Sequence, residues 1–277
     1  KKGKKEEEVM FKVSHELPIN MLDKSFEIND YEYCLPHLLD QNEKYRKHFE
    51  DAKESGSYII MDNSLHELGK AYDSKRLLHW INHLEPNEFI VPDVWQNKNQ
   101  TLVNAKKWKS IELPEGTTKV AVIQANTFGE AIECHSILKT HLEYEKIAFS
   151  YGADWYAQEF PHPNPLVGKM MGRIMVISKM YNKGYISTND RIHLLGCALP
   201  QEFGYYADFP FIETIDTSNP IIHGLEGTQY NSLGLLTKSS TKIDQIDKEI
   251  DTETLYNINH NLIQFKHFIK DGNTQLY

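Results

Sequence analysis

Residues 119–152 read KVAVIQANTFGEAIECHSILKTHLEYEKIAFSYG, and this stretch decides the fold. Residues 119–124 and 146–150 are short, apolar, β-rich runs. Between them residues 128–142 have helical composition. They open behind Thr127 with Glu130 three residues later, a capping-box pattern. Strand, helix, strand is the unit that joins parallel neighbours. Outward from it the same alternation recurs, with strand candidates at 11–14, 33–35, 58–62, 89–92, 191–196 and 211–216. Helical segments separate most of them. Residues 65–84 carry Leu68, Leu77, Leu78, Ile81 and Leu84 near helical spacing, and Met170, Ile174, Ile177 and Tyr181 form a stripe after Pro165. The link after 191–196 has room for only a short helical turn. Eight strands at roughly 30 residues per unit predict an α/β fold, a single (β/α)8 TIM barrel. A doubly wound sheet is the main rival, but no GxGxxG or GxxxxGK[ST] follows any strand. Residues 1–8 (KKGKKEEE) read as a charged tail and residues 9–277 as one barrel domain. Residues 237–248 read as a polar surface loop before a last helix at 253–270.

Composition narrows the function classes. The chain has 277 residues, 40% hydrophobic and 25% charged, enough for a buried core. No apolar run approaches ~18 residues, so no membrane span is expected. Cys34, Cys134 and Cys197 lie far apart without a CxxC, so neither a disulfide framework nor a structural zinc site is indicated. A reducing, cytoplasmic setting is the expectation, the host cytoplasm if the protein is viral. The net charge of −9 speaks against a broadly basic nucleic-acid coat.

In a barrel the chemistry comes from the carboxyl ends of the strands. YIIMD stops at Asp62, FIVPD at Asp93, KVAVIQ at Gln124 and FIETID at Asp216, while KIAFSYG ends in Ser150, Tyr151 and Gly152. Asp and Asn commonly close strands as turn formers, so one such residue means little. Four strands ending this way aim their polar groups into one mouth. Elsewhere the plain readings suffice: His79 and His83, four apart, read as an exposed helix face, and Cys197 as a small buried residue.

These residues carry a family resemblance. Met61-Asp62-Asn63-Ser64 resembles the DSGG-type motif of the guanine transglycosylases, barrel enzymes that exchange guanine for a 7-deazaguanine base in nucleic acid. Val91-Pro92-Asp93 matches the aspartate ending the next strand. Val122-Ile123-Gln124-Ala125 matches part of a VQGG-type motif, and Tyr151-Gly152 a glycine-bearing turn. The run 191–200, RIHLLGCALP, is similar to the family's RYLMGxGxP. Ile215-Asp216-Thr217-Ser218 is similar to the strand bearing its nucleophile. The likeness spans residues 58–224. Asn63-Ser64 and Ala125-Asn126 stand where the family has glycine pairs. The CxCxxC…H zinc module of the tRNA enzymes is missing, since no cysteine follows Cys197. The short, zinc-free chain looks most like the phage-type members that act on DNA.

The resemblance implies roles. Asp216 is the expected nucleophile and Asp62 the general acid/base. Asp93 would accept hydrogen bonds from guanine's N1–H and amino group. Gln124 and a backbone N–H near Gly152 would meet O6. Leu195, Gly196, His66 and Tyr151 would form the base's walls. The expected partners are guanine-containing DNA and a free 7-deazaguanine base of the preQ0 kind, with tRNA second, and no cofactor or metal. The other readings are a barrel that binds a nucleobase or oligonucleotide without turnover, and a glycoside hydrolase using Asp62 and Asp216. DNA sets one further demand on an acidic chain: a local basic rim. Lys98, Lys106, Lys107 and Lys109 form one candidate group, and Lys169, Arg173, Lys179 and Lys183 another. Lys106, Lys169 and Arg173 are the expected phosphate contacts.

Overall fold

The computed structural model describes residues 11–272, so the charged tail expected at 1–8 lies outside the described residues. Eight parallel strands curl into one nearly closed barrel: β1 (Lys12–Ser14), β2 (Glu32–Cys34), β3 (Ile59–Met61), β4 (Glu88–Ile90), β5 (Thr118–Ile123), β6 (Lys146–Ser150), β7 (Arg191–Leu195) and β8 (Ile212–Asp216). Each strand from β2 to β8 pairs with its successor, and β8 returns to β1. The eight strands fall where the apolar runs predict them.

The β1–β2 seam has no ladder, and two side chains bridge it instead. Asp30 donates its N–H to the Val13 carbonyl at 3.0 Å and accepts the Val13 N–H on its carboxylate at 2.9 Å. The Asn29 amide accepts from the His15 N–H at 2.6 Å and donates to the His15 carbonyl at 2.9 Å. Satisfying both backbone groups spares the seam the penalty of buried, unpaired edges.

The barrel floor is ionic. Lys146 opens β6 and Glu88 opens β4. Both are fully buried and pair at 2.7 Å, while Lys146 also donates to Glu213 at 3.0 Å. Arg191, the first residue of β7, holds the same Glu213 at 2.7 Å. A charge cluster at the amino ends of the strands belongs to stability, which leaves the opposite end for chemistry.

Two expectations change. The single helix expected over 65–84 is two, Leu65–Leu68 and Ser74–Leu84, because Gly69 stops the first at φ +77° and Asp73 starts the second. The Asp73 carboxylate accepts from the N–H groups of Lys75 and Arg76, which fixes the new start. The loop over 237–248 is not simply a surface loop. Its residues 238–243 line the cavity at the mouth, anchored by buried Ile243. Among the described residues no helix is long and apolar enough to cross a membrane.

Candidate active site

A cavity of about 500 Å³ opens at the carboxyl ends of the strands, within the ordinary range for a small-molecule site. The structure brings Asp62, Asp93 and Asp216 together there, from the ends of β3, β4 and β8. Tyr151, Gly152, Leu195, Gly196 and His66 line the same space.

Asp216 is wired from beneath. His193 Nε2 lies 2.7 Å from Asp216 Oδ1, and its Nδ1 lies 2.6 Å from Thr214 Oγ1. Lys146 Nζ donates to that same Thr214 oxygen at 2.8 Å. The Thr214 hydroxyl thus accepts from the Lys146 ammonium and links it to one His193 ring nitrogen, while the other ring nitrogen meets Asp216. Burial pulls the His193 pKa down to about 3, with Lys146 adding to the effect, so this is a neutral imidazole. In the sequence His193 looks like an ordinary mid-strand residue, with nothing to mark this contact.

Acidic groups crowd the mouth more than the strand ends suggest. Glu16, two residues beyond β1, faces the Asp216 carboxyl, and Glu67 adds a further charge near Asp62. Burial raises the Asp216 pKa to about 8, with Asp62 and Glu67 contributing, and burial likewise raises Asp62. Glu16 and Glu67 are pushed up in the same way. Carboxyls sharing such a site hold protons between them at neutral pH, which separates acid from base. Glu16 Oε2, Glu67 Oε2 and the Tyr33 hydroxyl are buried with no hydrogen-bond partner, although Tyr33 lies against Asp62. Unpaired buried polar atoms lining a cavity are groups that a ligand would satisfy.

Asp93 sits between two amides. Asn63 Nδ2 donates to one carboxylate oxygen at 2.8 Å and Gln124 Nε2 to the other at 2.8 Å. Gln124 also accepts the Gln96 N–H at 2.9 Å and does not line the cavity. It was expected to touch a base. Instead its amide orients Asp93, because both its ends are already engaged. Ser64 adopts φ +64°, a left-handed conformation at one of the four positions where the resembled family has glycine. His37 Nδ1, 2.7 Å from Ser64 Oγ, holds that turn.

One wall is aromatic. The Tyr151 ring lies on Gly196, whose φ is +58° and where an added Cβ would fall 2.3 Å from Tyr151 Cδ1. The Tyr151 hydroxyl lies 3.2 Å from His66 Nε2, which joins these two wall residues. Trp95, 43% exposed at the cavity edge, is a stacking surface the sequence reading passed over. Gly196→Ala should displace Tyr151 and strain the backbone, at a cost of about 2 kcal/mol. Urea denaturation checks this, and unchanged stability would show that the ring can move away freely.

The phosphate contacts need correction. Arg173 is fully buried. It donates to Glu202 twice, at 2.7 and 3.0 Å, and to the carbonyls of Phe149, Leu195 and Gly196 at 3.2, 2.9 and 2.8 Å. Those bonds engage all its N–H groups, so it fastens the ends of β6 and β7 and presents nothing to a phosphate. Lys106 lies in the last turn of the Lys98–Lys109 helix, which leaves the mouth after β4 and ends at the opposite side. Lys109 of that turn reaches the Glu143 carbonyl at 2.9 Å, ahead of β6. Lys169 stays near the mouth but pairs with Asp154 at 3.3 Å, and Lys98 pairs with Glu133 at 2.6 Å. The two lysine groups therefore do not build the expected rim.

Cys197 is buried, and its thiol is pushed up to about 11 by that burial, which makes it a poor nucleophile. Among the described residues no three His, Cys, Asp or Glu side chains gather as a metal-ion set. No protein-family model matches the chain, and no curated protein matches it significantly.

Proposed function

We propose that this protein is a transglycosylase that exchanges guanine for a 7-deazaguanine base in a nucleic acid. The observation that carries the reading is the joint placement of Asp62, Asp216 and amide-clamped Asp93 in one cavity at the strand ends. Asp62 and Asp216 alone would suit a glycoside hydrolase equally. Burial raises the Asp93 carboxyl above the usual aspartate range and the two amide donors work against that rise; Asp93 favours a base because those amides fix both its oxygens in place as acceptors. An acceptor of that kind matches guanine's N1–H and amino donors.

The chemistry balances with these groups. An Asp216 carboxylate oxygen bonds to C1′ as the C1′–N9 bond breaks, and Asp62 gives its proton to the departing guanine. The covalent sugar ester then meets the new base, whose N9 proton returns to Asp62 as N9 bonds to C1′ and Asp216 is released. The Lys146–Thr214–His193 chain fixes Asp216 for attack. The base has to be drawn out of its stack at a cost of a few kcal/mol, and Trp95 and Tyr151 offer replacement stacking surfaces.

DNA is the polymer that the zinc-free resemblance implies, and tRNA is the alternative. Radiolabelled guanine offered with each polymer tests both: label should enter DNA, and absence of label from both polymers with the fold intact overturns exchange. Asp93→Ala should lower base selectivity by about 100-fold, since it removes a buried, paired acceptor. Competition between guanine and adenine measures it, and an unchanged preference removes Asp93 from base recognition.

A further inference from the structure

The residues that line the outer part of the cavity include the run 238–242, KSSTK, from the strap over the mouth. Its two lysines differ from four of the cations expected to form the rim, Lys98, Lys169, Arg173 and Lys179. Lys238 Nζ donates to the Cys197 carbonyl at 2.9 Å and lies 4.8 Å from the centre of the Tyr151 ring. Lys242 Nζ donates to the Glu67 carbonyl at 3.2 Å. Among the described residues neither forms an ion pair, whereas Lys98, Lys169, Arg173 and Lys179 all do. His66 lines the same cavity, and burial, with both ammonium groups adding to it, pulls its pKa down to about 4 and holds it neutral.

Burial pushes the Lys238 pKa down, and an ammonium drawn out of water with only a carbonyl and a ring as partners is expensive unless an anion completes it. The surroundings suit an oxyanion. Glu67, whose carboxyl is pushed up by burial, has a buried oxygen without a hydrogen-bond partner. Ser239 is occupied in holding the strap, through its hydroxyl to Glu226 at 2.7 Å, while Ser240 and Thr241 line the cavity. Of the carboxyls facing this region, Glu16, Asp62 and Glu67 have raised pKa values and so oppose an anion less than their number suggests, while Asp244, which acts on both His66 and Glu67, is held by His37 Nε2 at 2.9 Å.

We propose that Lys238 and Lys242, together with His66, form a phosphate subsite at the edge of the mouth, for the phosphate next to the sugar whose base is exchanged. The identity of that sugar rests on the exchange reading; the anion site does not. The phosphate can belong to a polynucleotide or to a free nucleotide.

Calorimetric titration of deoxyguanosine, its 5′-monophosphate and a short single-stranded oligonucleotide tests it, alongside inorganic phosphate followed by phosphorus NMR. The wild type should bind the monophosphate about tenfold tighter than the nucleoside, and Lys238→Gln/Lys242→Gln should abolish that preference. Near-ultraviolet circular dichroism establishes that the variant is folded, and each single substitution should lose part of the preference. Equal wild-type affinity for nucleoside and monophosphate, or a preference that survives in the folded double variant, overturns the subsite. Tighter binding of the oligonucleotide than of the monophosphate assigns the site to a polymer, and equal binding assigns it to a free nucleotide. If no guanine compound binds yet inorganic phosphate binds and is lost in the variant, the subsite stands and the exchange reading falls. If the nucleoside binds and the phosphate adds nothing, the reverse holds.

Discussion

Asp216→Asn should abolish base exchange, by roughly 10³-fold or more, and eliminate any denaturant-stable protein–nucleic acid adduct. The amide keeps the shape and, with both a donor and an acceptor, can still pair with His193 Nε2, which lies 2.7 Å from the Asp216 carboxylate oxygen, so the loss is one of nucleophilicity. An adduct that persists in the variant on denaturing gels places the nucleophile elsewhere, and Glu16 would be the first residue to examine.

The same substitution should stabilise the protein at alkaline pH. Burial raises the Asp216 pKa to about 8, whereas the unfolded chain titrates near an ordinary aspartate value of about 3.9. Between those values the folded state keeps a proton that the unfolded state has released. The group's contribution to stability is therefore full below the unfolded pKa and declines as pH rises through the folded one. Asn carries no such titration. The variant should gain on the order of 2 kcal/mol at pH 8 and almost nothing at pH 4. Thermal unfolding at the two pH values measures the difference, and an equal shift at both would assign it to packing. Exchange itself should be greatest between about pH 7 and 8, since the productive form pairs an ionised Asp216, whose pKa is about 8, with a protonated Asp62, whose pKa is about 7. The apparent values belong to the coupled carboxyls together.

The strand ends were legible because their physics is local. A short apolar run that stops at Asp or Gln announces both the strand and the direction its last side chain faces, so Asp62, Asp93 and Asp216 could be placed in one mouth. What could not be read were contacts set by closure of the barrel. Glu16 follows the shortest kind of strand and has no pattern of its own, yet pairing of β1 with β8 carries it to Asp216. His193 and Lys146 lie far apart in sequence and meet at Thr214 only through the register of β6, β7 and β8. Polar residues 237–248 resembled a solvated loop because composition cannot separate water from a wet cavity. Arg173 was misread for a related reason. A cation on a helix beside other cations looks exposed, but the 3.6-residue period puts it on the same inward face as Met170, Ile174 and Ile177.

That inward face makes Arg173 the residue whose loss should destabilise the protein most. Arg173→Met would leave Glu202, 1% exposed, without its cation, and would leave the carbonyls of Phe149, Leu195 and Gly196 without a donor. Breaking a buried pair from one side costs about 3–5 kcal/mol. Arg173→Lys should recover only part, since an ammonium offers three donors from one point and cannot span Glu202 and two strand ends. Adding Glu202→Gln to Arg173→Met should restore part of the stability by removing the stranded charge. It should not restore function, because Leu195 and Gly196 would still lack the tether that sets the cavity wall against Tyr151. Urea midpoints for the four proteins of this cycle give the coupling between the two side chains. A phosphate-binding arginine would behave in the opposite way, with stability intact and a smaller salt dependence of nucleic-acid binding. The cycle therefore distinguishes an arginine that builds the mouth from one that meets what enters it.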